Sequence, residues 1–198
     1  MIRQAGVVPS GTINGKSAQI VLTLMLGLLV VLIVPAHPYS AGLVTLAFGL
    51  AFQILGDFLL VSRGYNRIRF ITYSLAALLY SVAYWIQTDG ITSGWLPILL
   101  ASSGIVLLLL ILPQVESRVF SSSLFGTLLL GLLWATGELW IQQHSMAALL
   151  ALFGAGGLFM TSLLIAFRKD RCVFYSQCQA CLIVYVVSQT LLVLSVLL

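Results

Sequence analysis

From Met146 to Phe167 the chain carries no charged side chain, and apolar runs of similar length recur along nearly all of it. A helix needs about 20 such residues to cross the hydrocarbon of a bilayer, where no water is available to an open backbone. Seven stretches qualify or nearly so: Ala18 to Val34, Ser40 to Ser62, Phe70 to Gln87, Gly94 to Leu112, Val119 to Ile141, Met146 to Phe167, and Val173 to Leu198. Segments with turn chemistry separate them: Pro35-Ala36-His37-Pro38, Arg63-Gly64-Tyr65-Asn66, Thr88-Asp89-Gly90, Pro113-Gln114 and Arg168-Lys169-Asp170. Only 7% of the 198 residues are charged, too few to coat a globule of this size in water, and mean hydropathy is +1.12. The expectation is an all-α transmembrane bundle of about seven helices: a polar segment over 1–17, then one membrane domain over 18–198.

The basic residues predict the orientation, because short inner loops are enriched in Lys and Arg. With the N-terminus inside, all nine fall inside. Arg3 and Lys16 precede the first span, Arg63, Arg67 and Arg69 join the second to the third, Arg118 follows the fourth, and Arg168, Lys169 and Arg171 follow the sixth. His37, Asp89 and His144 are left for the outer loops, so the chain reads as N-in and C-out. The net charge of +4 then follows from the inner loops, and membrane lipid rather than nucleic acid is the expected partner. The first span is too long for the core of a signal peptide and reads as a retained anchor.

A shift of 105 positions, 48 to 153, lays Phe48-Gly49 on Phe153-Gly154, Asp57 on Ser162, Arg63 on Arg168 and Tyr80 on Tyr185. The second and third spans thus match the sixth and seventh, in the same direction, as a parallel repeat. Cys172, Cys178 and Cys181 are odd in number and give no disulfide framework; the C-x-x-C they contain sits in an apolar run and reads as packing. His37 and His144 stand alone, so neither a metal site nor any other cofactor site is expected. The Gly154-Ala155-Gly156-Gly157 run lacks a following Lys-Ser or Lys-Thr and reads as close helix packing rather than phosphate binding.

Chemistry is sought where charge enters the hydrocarbon, since an intramembrane acid is costly and tends to mark a site. Two acids qualify. Asp57, in Gly56-Asp57-Phe58-Leu59-Leu60, lies about 8 Å from the inner end of its span at 1.5 Å per residue. Glu138, in Gly137-Glu138-Leu139-Trp140, lies near the outer end of the fifth. Set in opposite leaflets, they are not expected to form one acid–base pair. A buried carboxyl such as Asp57 can serve as a general acid; the plainer alternative is a structural acid bonded to a hydroxyl or an Arg. Glu138, flanked by Trp134 and Trp140, can contribute to a site or simply reach toward water. Gln53, Thr72, Tyr73, Tyr80, Thr161, Ser162, Tyr185 and Gln189 complete the polar set within the spans, and any of them can serve only to bridge helices.

Taken in order, Gly56-Asp57-x-Leu59-Leu60, a basic loop, Leu78-Leu79-Tyr80, Gly137-Glu138-Leu139-Trp140, Gly157-Leu158-Phe159-Met160-Thr161-Ser162 and Tyr185-x-x-x-Gln189-x-Leu191-Leu192 resemble the YhhN-like membrane proteins, which include the animal lysoplasmalogenases. The bacterial branch is the closer match, through Gly-Glu-Leu-Trp, which implies a bacterial inner membrane. The resemblance implies hydrolysis of the vinyl-ether bond of a lysoplasmalogen. Asp57 is then the candidate general acid, with Ser162 and Thr161 at the second catalytic motif, and Tyr80, Tyr185, Gln189, Lys16 and Glu138 as candidate substrate contacts. Three positions depart from the family pattern: Ser162 stands where an Asp is usual, Ala77 where a His often precedes Leu-Leu-Tyr, and Lys16-Ser17 where Lys-Pro is usual. A non-catalytic lipid-binding or assembly protein on the same fold is the alternative those departures raise. A small transporter is the third reading, suggested by the repeat.

Overall fold

The structure is a computed structural model that describes residues 20, 21, 23, 24, 27, 41–59, 66–111, 119–167 and 179–197. Among them are six helices and no strand: α1 (Ala41–Leu59), α2 (Asn66–Trp85), α3 (Trp95–Ile111), α4 (Val119–Gln143), α5 (Met146–Phe167) and α6 (Gln179–Leu197). Ile20, Val21, Thr23, Leu24 and Gly27 are helical too, inside the first expected span. Lys16, most of that span, the turns at 35–38 and 113–114, Cys172 and Cys178, and the side chains of Arg3, Arg63, Arg118, Arg168, Lys169 and Arg171 lie outside the described residues.

Which side chains face out shows the solvent these helices are built for. Phe48 and Phe58 on α1, Ile71 on α2, Ile98 and Ile105 on α3, Phe153 and Met160 on α5, and Ile183 on α6 are exposed. Gln53, Asp57, Thr136, Glu138, Thr161, Ser188 and Gln189 are buried. Water would penalise that arrangement on both counts. Lipid accepts the apolar exterior and drives the polar groups inward to find partners. Three helices among the described residues are long and apolar enough to cross a bilayer: α1, Ser123–Gln143 of α4 and Met146–Leu164 of α5. Trp95–Leu107 and Cys181–Val196 are shorter apolar helices. The protein is a helical membrane protein, with no strand among the described residues.

Helix limits follow the hydropathy reading closely except where polar residues join a helix. α5 occupies the expected range, while α2 starts four residues earlier, at Asn66, because its basic first turn is helical although apolarity gives no sign of it. α4 runs two residues further, to Gln143, since the side chain of Gln142 has a docking partner across the bundle. The turn to α5 takes only two residues. His144 adopts φ 47°, in the left-handed region, and its N–H closes on the carbonyl of Trp140 at 2.9 Å. Ser145 then caps α5, its hydroxyl accepting from the Ala148 N–H at 3.2 Å.

α1 packs on α2 and α5 on α6, while α4 joins the two pairs through contacts with both α2 and α5. α3 lies against α4. Small residues let these pairs close: a Cβ on Gly49 would sit 2.8 Å from the Tyr80 ring, and one on Gly56 would sit 2.9 Å from the Thr72 hydroxyl. The shared core includes Leu46, Leu50, Tyr80, Tyr84, Leu132, Ala151, Tyr185 and Leu192. Tyr84 ties α2 to α6 within it, donating to the Leu192 carbonyl at 2.9 Å and lying 2.9 Å from the Ser195 hydroxyl. Toward the ends of α2 and α4, Trp85 and Trp134 meet edge to face at 5.1 Å.

Candidate functional site

Asp57 sits near the C-terminal end of α1, 1% exposed. A carboxylate in a lipid-embedded bundle is tolerable only if its oxygens are supplied with donors. Here three helices supply hydroxyls. Tyr73 of α2 donates to Oδ1 at 2.5 Å, while Thr23 and Tyr185 of α6 donate to Oδ2 at 2.7 and 3.2 Å. The first expected span is held to α1 at this level: Thr23 reaches Asp57, and one turn further Gly27 packs against Leu50 and Ile54. Gly56 has no side chain to hold α2 away, so the Tyr73 ring can come alongside.

A second polar layer follows one turn along the bundle. Gln53 Nε2 donates to the Tyr185 hydroxyl at 2.5 Å, and the Tyr80 hydroxyl donates to Gln189 Oε1 at 3.2 Å. Between these layers lies a cavity of about 20 Å³, lined among others by Gln53, Tyr73, Tyr80, Ser162, Tyr185 and Gln189. Ala77, Phe125, Leu129 and Leu158 form its apolar wall. Asp57 is bonded directly to two of the lining side chains, Tyr73 and Tyr185.

Glu138 belongs to a different place. It is fully buried in α4, and the segment leading into α3 wraps its carboxylate. Thr92 donates to Oε2 through its hydroxyl at 2.8 Å and its N–H at 3.3 Å, and Ser93 donates to Oε1 through its hydroxyl at 2.8 Å and its N–H at 3.3 Å. Trp134 Nε1 adds a longer contact of 3.4 Å. One turn on, Gln142 fastens the same segment, accepting from the Asp89 N–H at 3.0 Å and donating to the Gly90 carbonyl at 2.6 Å. Tyr73 and Trp85, which mark the two levels on α2, are separated by about 18 Å at 1.5 Å per residue. The two intramembrane acids are thus in separate clusters.

Compared with known families, residues 17–196 match the YhhN family. The chain belongs to the YhhN family. No curated protein and no solved structure matches it.

Within this YhhN protein, the motif residues divide between the two clusters. Tyr80, Ser162, Tyr185 and Gln189, from α2, α5 and α6, line the cavity, and Asp57 of α1 is bonded to that lining through Tyr185. Ala77 and Ser162, two of the departures from the family pattern, line that same cavity. Ser162 bonds to the Leu158 carbonyl at 2.9 Å, and Thr161 is buried in α5 with its hydroxyl on the same carbonyl at 2.9 Å. Glu138 lies in the other cluster, and Lys16 falls outside the described residues.

Three members of the Asp57 cluster had no site role in the sequence: Thr23, Gln53 and Tyr73. A signal for Tyr73 was present. A hairpin folded about the turn at 63–66 places each residue of α1 opposite the residue of α2 equally far from the turn, which for Asp57 is Thr72 or Tyr73. Gln53 precedes Asp57 by one helical turn and so shares its face. Nothing in the sequence singles out Thr23.

Proposed function

We propose that this YhhN protein is a lysoplasmalogenase-type hydrolase of the bacterial inner membrane, with Asp57 as its acid. The observation that carries the reading is a buried carboxyl group inside a lipid-embedded bundle, bonded to Tyr73 and Tyr185, two of the side chains that line a small and mostly apolar cavity. A vinyl ether needs a proton on its alkenyl carbon, and that step creates an oxocarbenium ion. Asp57, giving up its proton, becomes the anion that stabilises this cation. Water adds to the cationic carbon and returns a proton to Asp57, giving a hemiacetal. The hemiacetal breaks its bond to the glycerol oxygen, which takes the Asp57 proton, while the hemiacetal hydroxyl gives its own proton back. One water is consumed, a fatty aldehyde and a glycerophospho alcohol leave, and the acid is regenerated. A single carboxyl serves every step, so Ser162 in place of a second acid does not forbid turnover.

The test is release of fatty aldehyde from an alkenyl lysophospholipid by the purified protein in vesicles. Asp57→Asn is expected to lower the rate by about 10²-fold or more. Wild-type protein that releases no aldehyde, or an Asp57→Asn variant as fast as wild type, overturns the reading.

A second reading, a lipid-binding or assembly protein without turnover, draws on the size of the cavity. At about 20 Å³ it takes a water molecule and not an acyl chain. The double substitution Ala77→His, Ser162→Asp distinguishes the two. Aldehyde release only after both changes supports the non-catalytic reading; release by the wild-type chain removes it.

A further inference from the structure

The cavity between the two polar layers has an unspent donor. Gln189 is 1% exposed, and its Oε1 accepts from Tyr80, which fixes the plane of the amide. Its Nε2, buried as well, has no hydrogen-bond partner among the described residues. A buried amide N–H left in that state costs free energy comparable to a lost hydrogen bond, so such groups are commonly satisfied by water. The side chain belongs to the cavity lining, and the cavity is large enough for one water centre.

The hydroxyls around the cavity determine what kind of molecule fits. Tyr80 donates its one proton to Gln189, Tyr73 and Tyr185 donate theirs to Asp57, and Ser162 donates to the Leu158 carbonyl. A phenol or alcohol whose proton is committed still has lone pairs to offer. Beside Gln189 Nε2, the oxygen of Tyr80 is therefore an acceptor. The occupant must accept one hydrogen bond and donate at least one. Water does both. An ether oxygen or a phosphate diester oxygen accepts only, and an alkyl chain does neither.

We propose that this cavity is a binding site for a single water molecule, held by Gln189 Nε2 and the Tyr80 hydroxyl oxygen, and that this water is the one hydrolysis consumes. The second half rests on the lysoplasmalogenase reading. Tyr185 stands in the same wall and donates to Asp57, so the carboxylate is one side chain away from the water it must activate. Gln189 is accordingly a positioning residue: it holds the nucleophile at the place where the oxocarbenium carbon is attacked, and Asp57 moves the proton. Addition of this water forms the carbon–oxygen bond of the hemiacetal; its proton goes to the Tyr185 hydroxyl oxygen as Tyr185 hands its own proton to Asp57.

The test combines a structure with kinetics on the full-length protein in lipid. A high-resolution structure is expected to show one ordered water within hydrogen-bonding distance of Gln189 Nε2. Gln189→Met removes the donor at nearly constant volume, so the water is expected to be lost, with kcat down by about 10²-fold and KM within about twofold. Ala77→Val adds two methyl groups at the cavity lining without removing a polar group, and it is expected to expel the water and lower kcat in the same way. Thermal midpoints confirm that both variants fold. An empty cavity in the wild-type structure overturns the site. An ordered water with undiminished kcat in both variants overturns its catalytic role. A wild-type protein that holds the water but releases no aldehyde refutes the hydrolase reading and, with it, the role assigned to the water, while leaving the site itself standing.

Discussion

Gly154 and Gly156 lie two residues apart in α5, and the bundle treats them in opposite ways. A Cβ built on Gly154 would fall 2.8 Å from Leu192 Cγ and 2.9 Å from the carbonyl oxygen of Ser188, both on α6. A Cβ on Gly156 would meet nothing within 4 Å. Replacing either glycine with Ala gains the same intrinsic helix preference, about 0.8–1 kcal/mol, so that contribution cancels when the two variants are compared. What remains is the contact. The Leu192 side chain can turn aside, but the Ser188 carbonyl is backbone, so α5 and α6 must separate by some tenths of an ångström. Overpacking of this kind costs about 1–3 kcal/mol. Gly154→Ala is therefore expected to be about 1–3 kcal/mol less stable than Gly156→Ala, with Gly156→Ala at or above wild type. The assay is thermal unfolding of the detergent-purified protein followed by tryptophan fluorescence, in which each kcal/mol moves the midpoint by roughly 2–4 °C for a chain of this length. Ser188 lies between Tyr185 and Gln189 on α6, so a displaced helix also shifts both of these cavity-lining side chains, and aldehyde release is expected to fall in Gly154→Ala alone. Equal midpoints for the two variants would falsify the view that this glycine sets the α5–α6 spacing.

Glu138→Gln leaves one oxygen for donors that now share two, and turns an amide toward the Thr92 and Ser93 hydroxyls. Loss of hydrogen bonds to a charged acceptor is expected to cost about 1.5–3 kcal/mol, and an unshifted midpoint refutes the view that Glu138 holds the Thr92–Ser93 segment against α4. Because the Glu138 cluster lies apart from the Asp57 cluster, the KM of the folded variant is expected to match wild type; a large change in KM would assign Glu138 to the substrate site. The N-in, C-out orientation predicts that, with the three native cysteines replaced, a cysteine at Asp89 reacts with an impermeant maleimide in intact cells and one at Arg67 only after permeabilisation. The reverse pattern overturns the orientation.

Membership of the membrane class was readable from the sequence because the bilayer imposes a one-dimensional rule: about 20 apolar residues in a row, with every backbone group bonded within the helix. The range of α5 and the start of α4 followed from that rule. The early start of α2 did not, since Asn66, Arg67 and Arg69 form a helical turn by backbone bonding that hydropathy cannot register. Asp57 could be singled out for a similar one-dimensional reason, because an acid within an apolar run is conspicuous. The same reasoning marked Glu138 equally, and only packing set the two apart. One carboxylate is wrapped by a loop through Thr92 and Ser93, and the other is held by side chains from separate helices beside a cavity.

The sequence alone determined the lipid-facing helical character and a short set of polar candidates, since both depend on residue type along the chain. The tertiary structure decided which candidates meet. Thr23, Gln53, Tyr73 and Tyr185 reach Asp57 or each other because glycines such as Gly56 let the helices close. It also decided that Gln189, a residue of the cavity lining, keeps a buried donor without a partner among the described residues. A hydrogen bond depends on where two atoms lie in three dimensions, and the distance between helices that fixes it is set by the packing of the whole bundle.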